Sequence, residues 1–217
     1  MERAFVAAWN RPEAVIGPSL DGMPSDCISP RFVDNGLSTI LYRNIALVRL
    51  LITGASGSGT TTLGEAISSE KGWKFVDADD FYWLRTDPPY QAKRDHPTRL
   101  NMILTELERN RHAVVSGSIM NWGPALEDSF DLIVFLYLEA SIRVQRLKIR
   151  EERELGTVDP EFLQWASEYD TSPAFGRSLV KHEKWLSDRG SKILRIEGDL
   201  SVQQRCELLF GALPKDM

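Results

Sequence analysis

The chain has 217 residues, a formal net charge of −5 and two cysteines. That length suits one domain with a sizeable core, and the acidic balance argues against a nonspecific nucleic-acid binder. Cys27 and Cys206 are too few for a disulfide framework and fit a reducing compartment. No apolar run approaches the roughly 18 residues of a membrane-spanning helix, and the amino terminus lacks the basic-then-apolar order of a secretory signal, so the expected location is cytoplasmic.

Residues 1–44 differ in composition from the rest of the chain. Pro12, Pro18, Pro24 and Pro30, scattered glycines and short apolar pieces such as Phe5 to Trp9 read as an irregular N-terminal extension. Two origins fit it: an upstream choice of start site, or an accessory arm that packs on the domain. From about Ile45 a continuous α/β pattern runs to the end, giving one domain over 45–217.

The stretch Leu50 to Leu63, LLITGASGSGTTTL, joins a buried strand to a helix through a glycine-rich turn. Its spacing fits G-x-x-x-x-G-K-[ST] with one departure: Gly54, Gly59 and Thr61 are in place, but Thr60 stands where lysine is usual. Glycines bring backbone N–H groups close to an anion, and the helix aims its free N–H groups at the same spot. Ser56, Gly57, Ser58 and Thr62 complete the candidate cradle, and the Thr61 hydroxyl is the candidate metal ligand. Thr60 donates a hydrogen bond but carries no charge, so either another cation acts in its place or phosphate is held weakly.

The first helix spans Thr61 to Lys71 and ends at Gly72. The strand Trp73–Val76 leads into Asp77, Asp79 and Asp80, carboxylates at the carboxyl end of a strand, where open α/β sheets bind ligands. They would support a magnesium-bound water or accept a proton from an attacking hydroxyl; a capped helix with solvated acids is the plainer reading. Arg85 to Arg99 is a proline-rich basic loop in which Arg85, Lys93 and Arg94 are candidates for an anionic acceptor, or members of a solvated surface loop. A helix from about Pro97 to Arg109 comes next, then a strand from His112 into Ser116-Gly117-Ser118. Trp122, in the succeeding loop, either lines an acceptor pocket or packs in the core.

Phe130 to Leu138 is the clearest buried strand. The helix from about Ala140 to Leu155 carries Arg143, Arg146, Arg150 and Arg153, which fall within an arc of about 80°. Guanidinium groups bind phosphate oxygens in forks and hold permanent charge, so these four are candidates to replace the missing lysine; a solvated face balanced by Glu151, Glu152 and Glu154 is the alternative. Beyond it come helices over Asp159 to Tyr169 and Pro173 to Asp188, then a strand Lys192–Ile196, a turn at Gly198-Asp199 and a helix capped by Ser201. His182 reads as structural or surface.

The motifs GASGSGTTT, VDADDFYW, RVQRLKIREERELG and RIEGD together resemble the P-loop small-molecule kinases: adenylate, cytidylate, shikimate, gluconate and uridine kinases. A GSGTTT loop without lysine is similar to that of archaeal-type cytidylate kinases. The resemblance covers about Leu47 to Leu213. It implies ATP and Mg²⁺, with Asp77 assisting the metal, Asp79 meeting the acceptor hydroxyl, and a lid segment at about 143–160 bearing the arginines. The expected fold is a P-loop NTPase-like three-layer αβα sandwich around a five-stranded, mainly parallel sheet in the order 2-3-1-4-5. The expected function is phosphoryl transfer from ATP to a small metabolite (nucleoside, nucleotide, sugar or hydroxyacid) by a monomer or homodimer, with no nucleic acid or membrane as partner. The alternatives are a nucleotide-binding regulatory protein and a slow ATPase.

Overall fold

A computed structural model describes residues 48–87, 90–171 and 177–213; the N-terminal extension expected over 1–44 lies outside them. Five strands, β1 (Val48–Gly54), β2 (Lys74–Asp77), β3 (His112–Ser116), β4 (Leu132–Tyr137) and β5 (Lys192–Glu197), form one sheet in the order β2-β3-β1-β4-β5. Every neighbouring pair is parallel, so each connection is a crossover that carries a helix back over a face. β1 lies at the centre and is apolar on both faces, with Leu50, Leu51 and Ile52 fully buried.

The pleat divides those side chains between two cores. Leu51, Val76, Val115, Ile133 and Phe135 face α3 (His96–Arg109), α4 (Pro124–Glu127) and α7 (Leu179–Ser187), through Ile103, Leu107, Leu126, Trp185 and Leu186. Leu50, Ile52, Val114, Val134 and Leu136 face α1 (Thr60–Lys71) and α8 (Val202–Ala212), through Leu63, Ile67, Cys206 and Leu209. Each such side chain contributes about 1.5–3 kcal/mol of burial. Gly64 on α1 permits a close approach to the sheet: a Cβ there would lie 2.6 Å from the Phe75 ring.

α5 (Ala140–Leu155) and α6 (Pro160–Ser167), with a 3₁₀ turn at Glu168–Asp170, pack through Leu147, Phe162 and Ala166 beside the carboxyl ends of the strands. Gly156 ends α5 at φ 68°. The helix expected from Pro173 begins at Leu179, where Ser178 caps it; residues 172–176 lie outside the described residues. The short helix α4 was not anticipated as an element; α2 (Ala78–Tyr82), capped by Asp77, is the capped helix given as the plainer reading of the acidic segment.

Candidate active site

The sheet register fixes the floor of the site. Ile52 of β1 and Asp77 of β2 both pair with Ser116 of β3, so Gly54, Ser116 and Asp77 end their strands along one edge. From β1 the chain turns through Ala55–Gly59 into α1. Gly57 (φ 82°) and Gly59 (φ 92°) take the left-handed conformation that glycine allows without strain. A Cβ at Gly57 would stand 2.8 Å from the Arg143 carbonyl oxygen, and one at Gly54 2.5 Å from that of Leu136. The loop is thus wedged against β4 and α5, with its other side open to a cleft of about 1210 Å³.

Gly54, Ser56, Gly57, Gly59, Thr60, Thr61 and Thr62 all line that cleft. Ser58 does not: it is fully buried beneath the loop, and its hydroxyl has no partner among the described residues. The Thr61 hydroxyl donates to Asp77 Oδ2 at 3.4 Å, and Asp77 Oδ1 accepts the Asp79 N–H at 3.0 Å. Asp77 therefore bonds both to the loop helix and to the start of α2. Thr61 and Asp77 are a hard-oxygen pair of the kind that holds magnesium together with waters and phosphate oxygens; no cluster of three or more acidic, histidine or cysteine ligands exists among the described residues.

Asp79 lies next to that pair and opens to the cleft. The protein crowded around its carboxyl raises its pKa above the ordinary 3.8; Arg177 opposes this, Asp80 adds to it and Arg150 opposes it. Asp80 is exposed and absent from the cleft wall.

The four arginines of α5 have four different surroundings. Arg150 reaches the cleft, and its Nε and Nη2 are buried without a hydrogen-bond partner among the described residues. Buried guanidinium N–H groups that share a cleft with a glycine loop are suited to phosphate oxygens. Arg146 also lines the cleft and pairs with Asp199.

Arg143, expected to hold nucleotide, is turned into the protein and away from the cleft. It is fully buried and donates to the carbonyls of Leu138 (2.7 Å) and Ala166 (3.0 Å) and to both oxygens of Asp170 (3.2 Å). It ties α5 to the 3₁₀ turn and stays off the cleft wall. Arg153, also expected at the nucleotide, is 72% exposed, pairs with Glu154 and lies off the cleft.

Among the acceptor candidates, Lys93 and Trp122 line the cleft. Lys93 sits over the Tyr82 ring and forms an isolated antiparallel bridge with Trp83. Trp122 is 2% exposed, so it serves core and cleft at once, and Arg99 stacks on it at 4.9 Å. Arg94 lies off the cleft wall: its Nε donates to the Phe81 carbonyl at 3.1 Å and its Nη2 lies 3.4 Å from that of Trp83, stapling the basic loop to α2. Arg85 is exposed and off the cleft.

Other lining residues had no local signal. The segment expected as a lid, 143–160, ends at α6, whose Phe162, Gln164 and Trp165 wall the cleft. Arg177 stacks over Trp165 at 5.7 Å and reaches the cleft with Lys181. Ser118, Met120 and Asn121 come from the turn after β3, which Glu127 fixes by accepting the Gly123 N–H at 2.9 Å.

Beneath the site lies a buried polar chain. Thr53, the residue before Gly54, meets His182 Nε2 at 3.0 Å, and His182 Nδ1 meets the Tyr169 hydroxyl at 2.7 Å. Burial drives the His182 pKa down to about 3, with Arg177 reinforcing, so the ring is neutral; burial likewise pushes the Tyr169 phenol up.

Comparison with known proteins places this geometry. No protein-family model matches the chain. It is 37% identical over 172 residues to the uncharacterized protein YqaC of Bacillus subtilis (strain 168), spanning 75% of this chain and 95% of that one. It is 23% identical over 126 residues to cytidylate kinase of Archaeoglobus fulgidus, spanning 52% of this chain and 68% of that one. The structure of deoxyadenosine kinase from M. mycoides with bound dATP superposes with a TM-score of 0.51 at 13% identity, over 76% of this chain and 98% of that chain. The fold is that of the P-loop NTPases, in the arrangement found in small-molecule kinases.

Proposed function

The chain belongs to the family of the Bacillus subtilis protein YqaC, and from that premise we propose that it transfers the terminal phosphoryl group of ATP to a small-molecule acceptor. The observation that carries this reading is the convergence of three things on one cleft: the glycine loop, the Thr61–Asp77 pair, and Nε and Nη2 of Arg150, which have no partner among the described residues. ATP fits these residues. The loop amides and the hydroxyls of Thr60, Thr61 and Thr62 would hold its phosphates, Arg150 and Arg146 would neutralise them, and Thr61 with Asp77 would hold Mg²⁺. When bound, the metal nucleotide supplies an activated phosphoryl group whose transfer depends mainly on positioning and electrostatics.

The chain's own contribution is then specific. Asp79 would orient the acceptor oxygen and take its proton, and its raised pKa favours that role over that of a bare counter-charge. Arg177 and Arg150 oppose the rise that desolvation causes. Phe162, Trp165 and Trp122 would exclude water around the acceptor, with Lys93 and Lys181 at the rim.

Thr60 favours a second reading, a protein that binds nucleotide for regulation or hydrolyses it slowly. Mass-spectrometric product analysis over a panel of nucleosides, nucleotides, sugars and hydroxyacids with Mg-ATP separates the readings. A phosphorylated acceptor supports the kinase. Phosphate release without any acceptor product, or nucleotide binding without turnover, supports the alternative.

A further inference from the structure

The cation missing from the loop has a counterpart far away in sequence. Arg205, on α8, is 4% exposed and reaches under the phosphate loop. Its Nη1 donates to the Ser58 carbonyl at 2.7 Å, and its Nη2 lies 3.4 Å from the Gly198 carbonyl. Its Nε has no partner among the described residues. A Cβ built on Gly59 would stand only 3.0 Å from Nη1, so the guanidinium lies directly against the residue before Thr60.

A trans peptide fixes its carbonyl and its N–H in opposite directions. Arg205 takes the Ser58 carbonyl from the α8 side, so the Gly59 N–H of the same peptide is turned the other way. Gly59 lines the cleft, and among the described residues its N–H has no backbone acceptor. Were this peptide to flip, a carbonyl oxygen would face the anion instead. Gly59, at positive φ and without a Cβ, makes such a flip sterically easy.

We propose that Arg205 is a positioning residue for the phosphate loop. It locks the Ser58–Gly59 peptide with its N–H toward the anion, and it places beneath the loop the positive charge that Thr60 lacks. This rests on the reading of the loop as a nucleotide site. Burial lowers the Arg205 pKa, Arg146 lowers it further and Asp199 opposes both, yet a guanidinium stays charged at neutral pH. In a low-dielectric position under the loop, that charge is weakly screened.

The test is isothermal calorimetry with Mg-ATP on the full chain, alongside urea unfolding without nucleotide. Four variants are compared: Arg205→Met, Arg205→Lys, Arg205→Gln and the double variant Thr60→Lys/Arg205→Met. The expected result is a Kd raised about tenfold or more in Arg205→Met, less in Arg205→Lys than in Arg205→Gln, and lowered again when Thr60→Lys is added. Unchanged affinity in Arg205→Met overturns the proposal, as does a double variant no tighter than Arg205→Met. Should Arg205→Met fail to fold, the pair Arg205→Lys and Arg205→Gln decides: tighter binding by the lysine supports the charge role, and equal or weaker binding overturns it. If the wild-type protein binds no Mg-ATP, the proposed function falls and this inference falls with it. Wild-type binding with an insensitive Arg205 overturns this inference alone.

Discussion

Lowering the pH from 7 to 5 should destabilise this protein through one residue, His182. In the unfolded chain its imidazole takes a proton near pH 6.5; in the folded protein burial between Thr53, Tyr169 and Phe135 holds that back to about pH 3. Between those values the unfolded state binds more protons, so stability falls as pH falls. At about 1.4 kcal/mol per pH unit, the loss between pH 7 and pH 5 is about 2 kcal/mol, and it levels off only below pH 3. For a domain of this size that is roughly a 4–8 °C drop in Tm. Urea unfolding at pH 7, 6 and 5 measures it, with His182→Gln as the reference. Glutamine keeps a donor and an acceptor for Thr53 and Tyr169 but does not titrate, and the carboxylates common to both proteins cancel in the comparison. Parallel pH profiles for the two proteins would refute the reasoning.

Three further outcomes test the site. Arg150→Ala should lower turnover about 10- to 100-fold, the worth of charge-assisted hydrogen bonds at about 1.5–3 kcal/mol, while Arg153→Ala leaves it within twofold; steady-state kinetics with Mg-ATP compares them, and equal effects would remove Arg150 from the site. The acid limb of kcat/KM should have a pKa above the ordinary 3.8 of a carboxyl group, because Asp79 must lose its proton to act as base, and Asp79→Asn should lose nearly all turnover while still binding Mg-ATP in calorimetry. Gly64→Ala should cost about 1–3 kcal/mol in urea unfolding, since the new methyl meets the Phe75 ring at 2.6 Å; a neutral substitution would mean that α1 is not pressed on the sheet there.

The local patterns were readable from the chain because they rest on nearest-neighbour physics. The apolar run through Ile52, the glycines from Gly54 to Gly59 and the Gly72 terminus specify strand, loop and helix with no help from distant residues. Short crossovers between parallel strands then leave few topologies, and the observed strand order is the expected one.

The arginines show where that reasoning stops. A helical wheel puts Arg143, Arg146, Arg150 and Arg153 on one face but discards height along the axis, and with it the partners that approach at each turn. Arg143 meets the Asp170 turn, Arg146 meets Asp199, Arg150 meets the cleft and Arg153 meets its own neighbour. Arg177 and Arg205 carry no local signal at all: both come to the strand ends from the far end of the chain, Arg177 just ahead of α7 and Arg205 on α8. The sequence by itself determined the strand–loop–helix unit and the deficit of charge at Thr60, because backbone geometry and residue chemistry are local. Only the tertiary structure decided which guanidinium groups stand near that deficit, because burial and Coulomb energy depend on distances that chain spacing does not encode.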